Sequence, residues 1–449
     1  MAKRLVLLAC AVLISLLACD QPPTPTPTPA PTPAPTARPP ITVWPKIDRR
    51  PSPWIWQRDR PTALPTYDPS SADPFQMDLR CLDLSALDLR GAGGDLLYAT
   101  YDSLTRWPAP ERLPAGFDPG RIMELGRNPG LGVRSLHARG ITGRGVAIAI
   151  VDQPLIVEHQ EYADRIRLYE EIAVQPHVSS QMHGPAVASI AVGKTVGVAP
   201  GADLYYIATW AFDPARRTAT SGRDFRFYAQ AVRRILEVNR QLPVGQKIRV
   251  MSLSVGWGAQ EPGYDEMTAA TRQAKEAGML VVSSSIEQTH GFRINGLGRA
   301  PLADPERFES YEAGLFWAGQ PASMGDLSKR LHAPMDSRAV AGPTGADGYA
   351  FYRAGGFSWV APCLAGVYAL ALQVDPTLTP ERFWALAMET GRTVEWKRGE
   401  EVLRLGPIVD PVAVVEAVGN AYNRGRWARD PHARPEPQPE ATRHAPLSL

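Results

Sequence analysis

The chain has 449 residues, with 48 Lys and Arg against 46 Asp and Glu, a formal charge of +2. That balance argues against an extended basic groove for nucleic acid. An apolar fraction of 44% is enough for a large core in one or two domains.

The chain begins MAKRLVLLACAVLISLLACD. Lys3 and Arg4 precede an apolar run from Leu5 to Leu17 that is short for a membrane span and closes in Leu-Leu-Ala-Cys at 16–19. This resembles a bacterial lipoprotein signal. The resemblance implies removal of residues 1–18, lipidation of Cys19, and a protein held outside the cytoplasm on a membrane. The alternative is an ordinary secretory signal with a fortuitous cysteine. Residues 19–45 read as a tether. In the alternating Pro and Thr/Ala of 21–40, about half the residues lack the N–H that helix or ladder needs. An extended polyproline tract of this length spans on the order of 60 Å.

Residues 46–125 form an N-terminal extension with weak periodicity. Leu79, Leu82, Leu84, Leu87 and Leu89 fall at leucine-rich-repeat spacing, but once only, and one repeat cannot bury its own face. The expectation is a short strand or two packed on the main domain, with a removed propeptide as the alternative. Cys81 and Cys363 would be free to pair outside the cytoplasm, but without geometry the preferred reading is two separate buried thiols.

Residues 126–420 alternate strand and helix. The runs 145–152, 202–210, 248–256 and 278–285 are apolar in the manner of strands buried on both faces. Between them, Phe225, Tyr228, Ala229, Val232, Ile235 and Leu236 make one apolar stripe of a helix over 222–240. A second helix over 264–277 stops at Gly278. The pattern predicts an α/β fold, a doubly wound and mainly parallel sheet with helices on both faces. Ligands of such sheets bind beyond the carboxyl ends of the strands, where Asp152 lies. The Arg/Pro-rich segment 421–449 is expected to be a disordered tail.

Three segments carry candidate chemistry. Asp152 ends an apolar strand. His183 opens His-Gly-Pro-Ala-Val-Ala-Ser and is followed by Gly-Val-Ala-Pro at 197–200. Ser358 follows Gly355, Gly356 and Phe357 and leads into a small-residue helix through Leu372. A helix start after the serine offers backbone N–H groups to a developing anion. Taken singly, each of these residues is usually a cap or turn residue.

In this order and these contexts the three segments resemble the subtilisin-like serine peptidases over residues 140–390. The segment 378–391 matches the helix that closes the family's domain. The resemblance implies Ser358 as nucleophile, His183 as general base and acid, and Asp152 as the residue that fixes the imidazole. His159 falls in the family's turn after the aspartate strand, which is not catalytic. The resemblance also implies a peptide or protein substrate bound along Ser252, Leu253 and Ser254. No cofactor is expected, and no calcium ligands can be named.

The sequence departs from the family in two places. Where the family strand ends Ala-Gly-Asn, with the Asn donating to the oxyanion, this chain has Ser285, Ile286 and Glu287. A charged Glu287 in that position would repel the oxyanion. Glu287 would have to be protonated, or face away while Asn295 or Gln288 donates, or the protein would bind peptides without cleaving them. Ser254 and Val255 also replace two glycines of the family's Ser-Leu-Gly-Gly, which is expected to narrow the groove. The leading expectation is a lipid-anchored serine endopeptidase, and the alternative is a catalytically impaired peptide-binding relative. An esterase fits less well, because Ser358 lacks a Gly-x-Ser-x-Gly elbow.

Overall fold

The computed structural model describes residues 59–71, 73–210 and 222–429. The signal, the tether, the first part of the extension and the tail beyond Arg429 lie outside the described residues.

The extension contributes α1 (Gly93–Leu96) and β1 (Tyr101–Asp102), and α2 (Pro119–Arg127) and α3 (Val133–Ala138) follow. Then come β2 (Ala147–Asp152), β3 (Ile166–Ile172), α4 (His183–Val192), β4 (Asp203–Thr209), α5 (Phe225–Gln241), β5 (Ile248–Leu253), α6 (Tyr264–Glu276) and β6 (Leu280–Ser283). The chain continues through α7 (Ile286–His290), β7 (Ile294–Arg299), β8 (Tyr311–Ala313), β9 (Leu331–Pro334), β10 (Arg338–Ala341) and β11 (Tyr349–Tyr352). It closes with α8 (Val360–Val374), α9 (Pro380–Thr390), β12 (Arg392–Arg398), β13 (Glu401–Ile408) and α10 (Pro411–Arg429).

Five parallel strands form the central sheet in the order β3-β4-β2-β5-β6. Alternation along β2 feeds two cores. Ala147, Ala149 and Val151 pack with α5 and α6, and Ile148 and Ile150 pack with α4 and α8. That is why β2 reads as an unbroken apolar run: both of its faces are covered. Every residue of the stripe expected on α5 is buried. Its first turn is capped by Asp224, whose side chain accepts from the Arg226 N–H. Gly278, just past α6, adopts a left-handed φ of 81°, which suits a glycine at a helix end. The expected α/β, doubly wound fold is the one observed.

The order of strands reverses about β2. From β4 the chain crosses through α5 to β5, on the other side of β2. The carboxyl end of β2 is thus a switch point, where two loops diverge and leave a crevice.

Two domain boundaries shift. The boundary at 125 falls inside α2, because Ile122 and Gly126 are buried there. A Cβ on Gly126 would press on the Ala339 backbone and the Phe351 ring. The boundary at 420 falls inside α10, which runs to Arg429, so 421–429 is helical and not disordered. Val414, Val415 and Val418 on this helix are buried in the core.

The leucine-rich stretch also differs from expectation. Leu79, Leu84 and Leu89 are buried with Met77, Tyr101 and Phe351 in a small separate core. The stretch itself makes only single bridges, Asp78 to Thr100 and Asp83 to Arg106. The strand is β1, which pairs antiparallel with β11. Cys81 and Cys363 are separate, buried and free. The Cys81 thiol donates to Asp102 at 3.1 Å, and burial beside that carboxylate pushes its pKa up to about 12.

Candidate active site

Asp152 is the last residue of β2 and is 5% exposed. Its Oδ1 accepts from the Gln153 N–H at 2.7 Å and lies 2.7 Å from His183 Nδ1. A carboxylate there calls for the proton on Nδ1, which leaves Nε2 as the free base.

His183 opens α4. Its backbone N–H donates to Gln153 Oε1 at 3.3 Å, and the Gln153 carbonyl is held by the Tyr206 hydroxyl. A Cβ on the next residue, Gly184, would overlap that same carbonyl. Gly184 therefore lets α4 come close enough to β2 for the Asp–His contact.

Ser358 sits in a single 3-10 turn, Phe357–Trp359, which opens into α8. Gly356 enters the turn with φ 75° and ψ 167°, a conformation open to glycine. A Cβ on Gly355 would overlap the Trp359 ring and the Met335 carbonyl. Trp359, immediately after the serine, is 1% exposed and lies with its ring centroid 5.9 Å from that of His183, nearly parallel at 20°. That stacking brings the Ser358 turn alongside His183.

The Ser358 hydroxyl donates to the Ser254 carbonyl at 3.3 Å. In return the Ser254 hydroxyl donates to the Ser358 carbonyl at 2.8 Å. Ser254 holds the place of a family glycine, and its extra hydroxyl fastens the nucleophile turn.

Ser252 and Leu253 lie deeper than expected. Both belong to β5 and are buried. Ser252 is paired to Ile150 on one side and Val282 on the other, and Leu253 is paired to Ser283. Ser252 thus has no free edge for a substrate backbone, while Ser254 is hydrogen-bonded to Ser358.

Glu287 lies on α7, half-exposed, with its carboxylate 2.7 Å from the Arg293 guanidinium. Gln288 Nε2 donates to the Trp257 carbonyl at 3.4 Å, and Asn295 is fully buried with Nδ2 unpartnered. His159 is bonded into the core, with Nε2 2.8 Å from the Gly348 carbonyl and Nδ1 accepting from the Glu161 N–H.

One supporting residue carries no local sequence signal. Asp336 is buried, and its two oxygens accept from the N–H groups of Leu315 and Gly355, at 2.8 and 2.9 Å. It thereby ties the glycine pair before Ser358 to a loop from another part of the chain. Burial pushes its pKa up to about 6, against the pull of Arg353 and the two N–H donors.

Residues 143–310 match the model of the subtilase family, Peptidase_S8. The strand–helix region of the chain is thus similar to the subtilases. The matched stretch holds Asp152 and His183, and Ser358 lies beyond it. Over 141 residues the chain is 32% identical to a subtilisin-like protease 2 of Arthroderma otae, covering 31% of this chain and 30% of that one. Over 85 residues it is 34% identical to the subtilisin-like protease PopC of Myxococcus xanthus, covering 16% and 18%. The chain thus spans less than a third of the length of these curated relatives. Among solved structures it is similar to fervidolysin of Fervidobacterium pennivorans, at 17% identity and TM-score 0.44 over 64% of this chain and 45% of that one. It is also similar to the PatG macrocyclase in complex with peptide, at 15% identity and TM-score 0.43 over 65% and 97%.

Proposed function

We propose that the chain is a serine endopeptidase that hydrolyses peptide bonds through an acyl-enzyme at Ser358. The observation that carries this reading is the Asp152–His183 contact of 2.7 Å, with the ring of Trp359 stacked on that histidine one residue from Ser358.

The steps follow from the groups present. The Ser358 hydroxyl leaves the Ser254 carbonyl and passes its proton to His183 Nε2 as Oγ attacks the substrate carbonyl carbon. Asp152 stabilises the imidazolium that forms and keeps Nδ1 protonated. The oxyanion meets the backbone N–H of Ser358 in the turn that leads into α8, ahead of the helix end whose dipole favours negative charge. His183 returns the proton to the leaving amine. A water then attacks the ester, with His183 again as base, and releases the acid.

A fluorophosphonate probe on the purified protein, followed by mass spectrometry, tests this reading. Labelling of Ser358, lost in Ser358→Ala, together with cleavage of a peptide panel, supports it. A folded protein that binds peptides but neither labels nor cleaves them is the impaired relative instead. Placement outside the cytoplasm, on a membrane through lipid on Cys19, belongs to the same proposal and rests on the Leu-Leu-Ala-Cys motif. Cys19→Ser is expected to release the protein from the membrane fraction, and retention of that variant would overturn the anchor.

A further inference from the structure

Two half-exposed aromatic rings meet beside the nucleophile turn. Phe75, from the N-terminal extension, is 45% exposed, and Phe316, from the loop after β8, is 44% exposed. Their centroids are 5.8 Å apart at 67°, an edge-to-face pair. A Cβ on Gly356 would lie 3.4 Å from the Phe316 ring. Gly356 is two residues from Ser358, at most about 7 Å of chain. An extended substrate advances about 3.3 Å per residue. The pair is therefore within reach of a side chain two or three residues from the scissile bond.

The extension is fastened to the strand that leads into Ser358. Two residues past Phe75, the Met77 carbonyl accepts from the Thr100 N–H at 2.8 Å, and the Leu79 N–H donates to the Thr100 carbonyl at 2.7 Å. Tyr101 of β1 pairs with Phe351 of β11. Arg80 donates to the Tyr352 hydroxyl at 2.8 Å, and the Arg353 N–H donates to Thr100 Oγ1 at 3.3 Å. Arg353 is followed directly by Ala354, Gly355 and Gly356. Removing the extension would strip β11 of its edge partner and uncover Phe351, which is 1% exposed.

We propose that residues 73–106 stay in the working protein as one wall of the substrate cleft, and that Phe75 and Phe316 together form a subsite for an apolar or aromatic side chain near the scissile bond. This rests on the peptidase reading above. Lone exposed apolar residues are ordinary on a protein surface. This pair differs in its place: two rings from distant parts of the chain meet, and one of them, Phe316, lies against the residue that shapes the nucleophile turn. A third apolar group entering there would cover ring surface that water now meets, and a charged one would lose hydration without a partner.

The test uses the full-length protein, matched peptides and two variants, Phe75→Ala and Phe316→Ala. The peptides carry Phe, Leu, Ser or Asp at each of three positions on either side of one scissile bond. Wild type is expected to favour Phe or Leu over Ser by about tenfold in kcat/KM at one position, mainly through KM. Each variant is expected to flatten that preference, while cleavage of the Ser peptide and fluorophosphonate labelling of Ser358 stay within about twofold. The labelled active chain, sequenced from its N-terminus, is expected to retain Phe75. A preference profile unchanged in both variants overturns the subsite and leaves the peptidase reading intact. An active species that begins beyond residue 106 overturns the retained wall. A wild type that neither labels nor cleaves overturns the peptidase reading and the subsite with it.

Discussion

Ser254 and Ser358 hold each other: each hydroxyl donates to the other's carbonyl, at 2.8 Å from Ser254 and 3.3 Å from Ser358. The first of these bonds positions the nucleophile turn. The second occupies the attacking hydroxyl, which must leave it to reach His183. Ser254→Ala removes the donor and keeps the carbonyl. Losing one such hydrogen bond costs about 0.5–1.5 kcal/mol. We expect Ser358 labelling to slow by roughly two- to tenfold, with the KM of a small peptide little changed. An unaltered labelling rate would mean that the glycines and Asp336 suffice to hold the turn.

Asp152→Asn can keep an oxygen at the Oδ1 position to accept both N–H groups but removes the charge that stabilises the imidazolium. The expected loss in kcat is on the order of 10⁴, with the fold retained. Circular dichroism checks the fold, and hydrolysis of an activated peptide checks the rate. A variant within tenfold of wild type would remove Asp152 from the mechanism.

Glu287 is engaged by Arg293 at 2.7 Å with both side chains about half exposed. An exposed ion pair of this kind is worth at most about 1 kcal/mol. Glu287→Ala and Glu287→Asn are therefore expected to leave kcat/KM within about twofold of wild type, with the same pH profile. A rise in rate on Glu287→Asn would show that the carboxylate faces the oxyanion during turnover.

Asp336 predicts a pH dependence of stability. Its folded pKa of about 6 lies above the usual carboxylate value. The folded protein thus holds this proton more tightly than the unfolded chain does. Asp336 supports the fold most below about pH 4, and that support falls away as the pH rises through about 6, a swing of roughly 3 kcal/mol. Arg353 and the two N–H donors offset part of the cost of ionisation, and Glu312 adds to it. Asp336→Asn does not titrate, but it turns an Nδ2 donor toward one of the N–H groups. The gap in Tm between variant and wild type is expected to shift in the variant's favour from pH 4 to pH 7. A gap constant across that range would show that Asp336 does not titrate there.

Some of this protein was determined by the sequence alone. The apolar run ending in Asp152 is short, rich in Ile and Val and bounded by Gly145 and Pro154, which reads as a strand covered on both faces. The stripe on α5, the Asp224 cap and Gly278 set helices by rules that act within one or two turns. The order of Asp152, His183 and Ser358 could be read because each stands in its own local motif. The contacts that complete the site could not. Ser254 reaches Ser358 across 104 positions, Asp336 reaches Gly355 from a separate strand end, and Arg293 claims Glu287 only because α7 turns the carboxylate toward it. Phe75 and Phe316 lie in segments of no evident period, and neither points to the other in sequence. Local periodicity encodes which faces must be buried. Only closure of the chain decides which distant polar groups and rings are left within reach of one another.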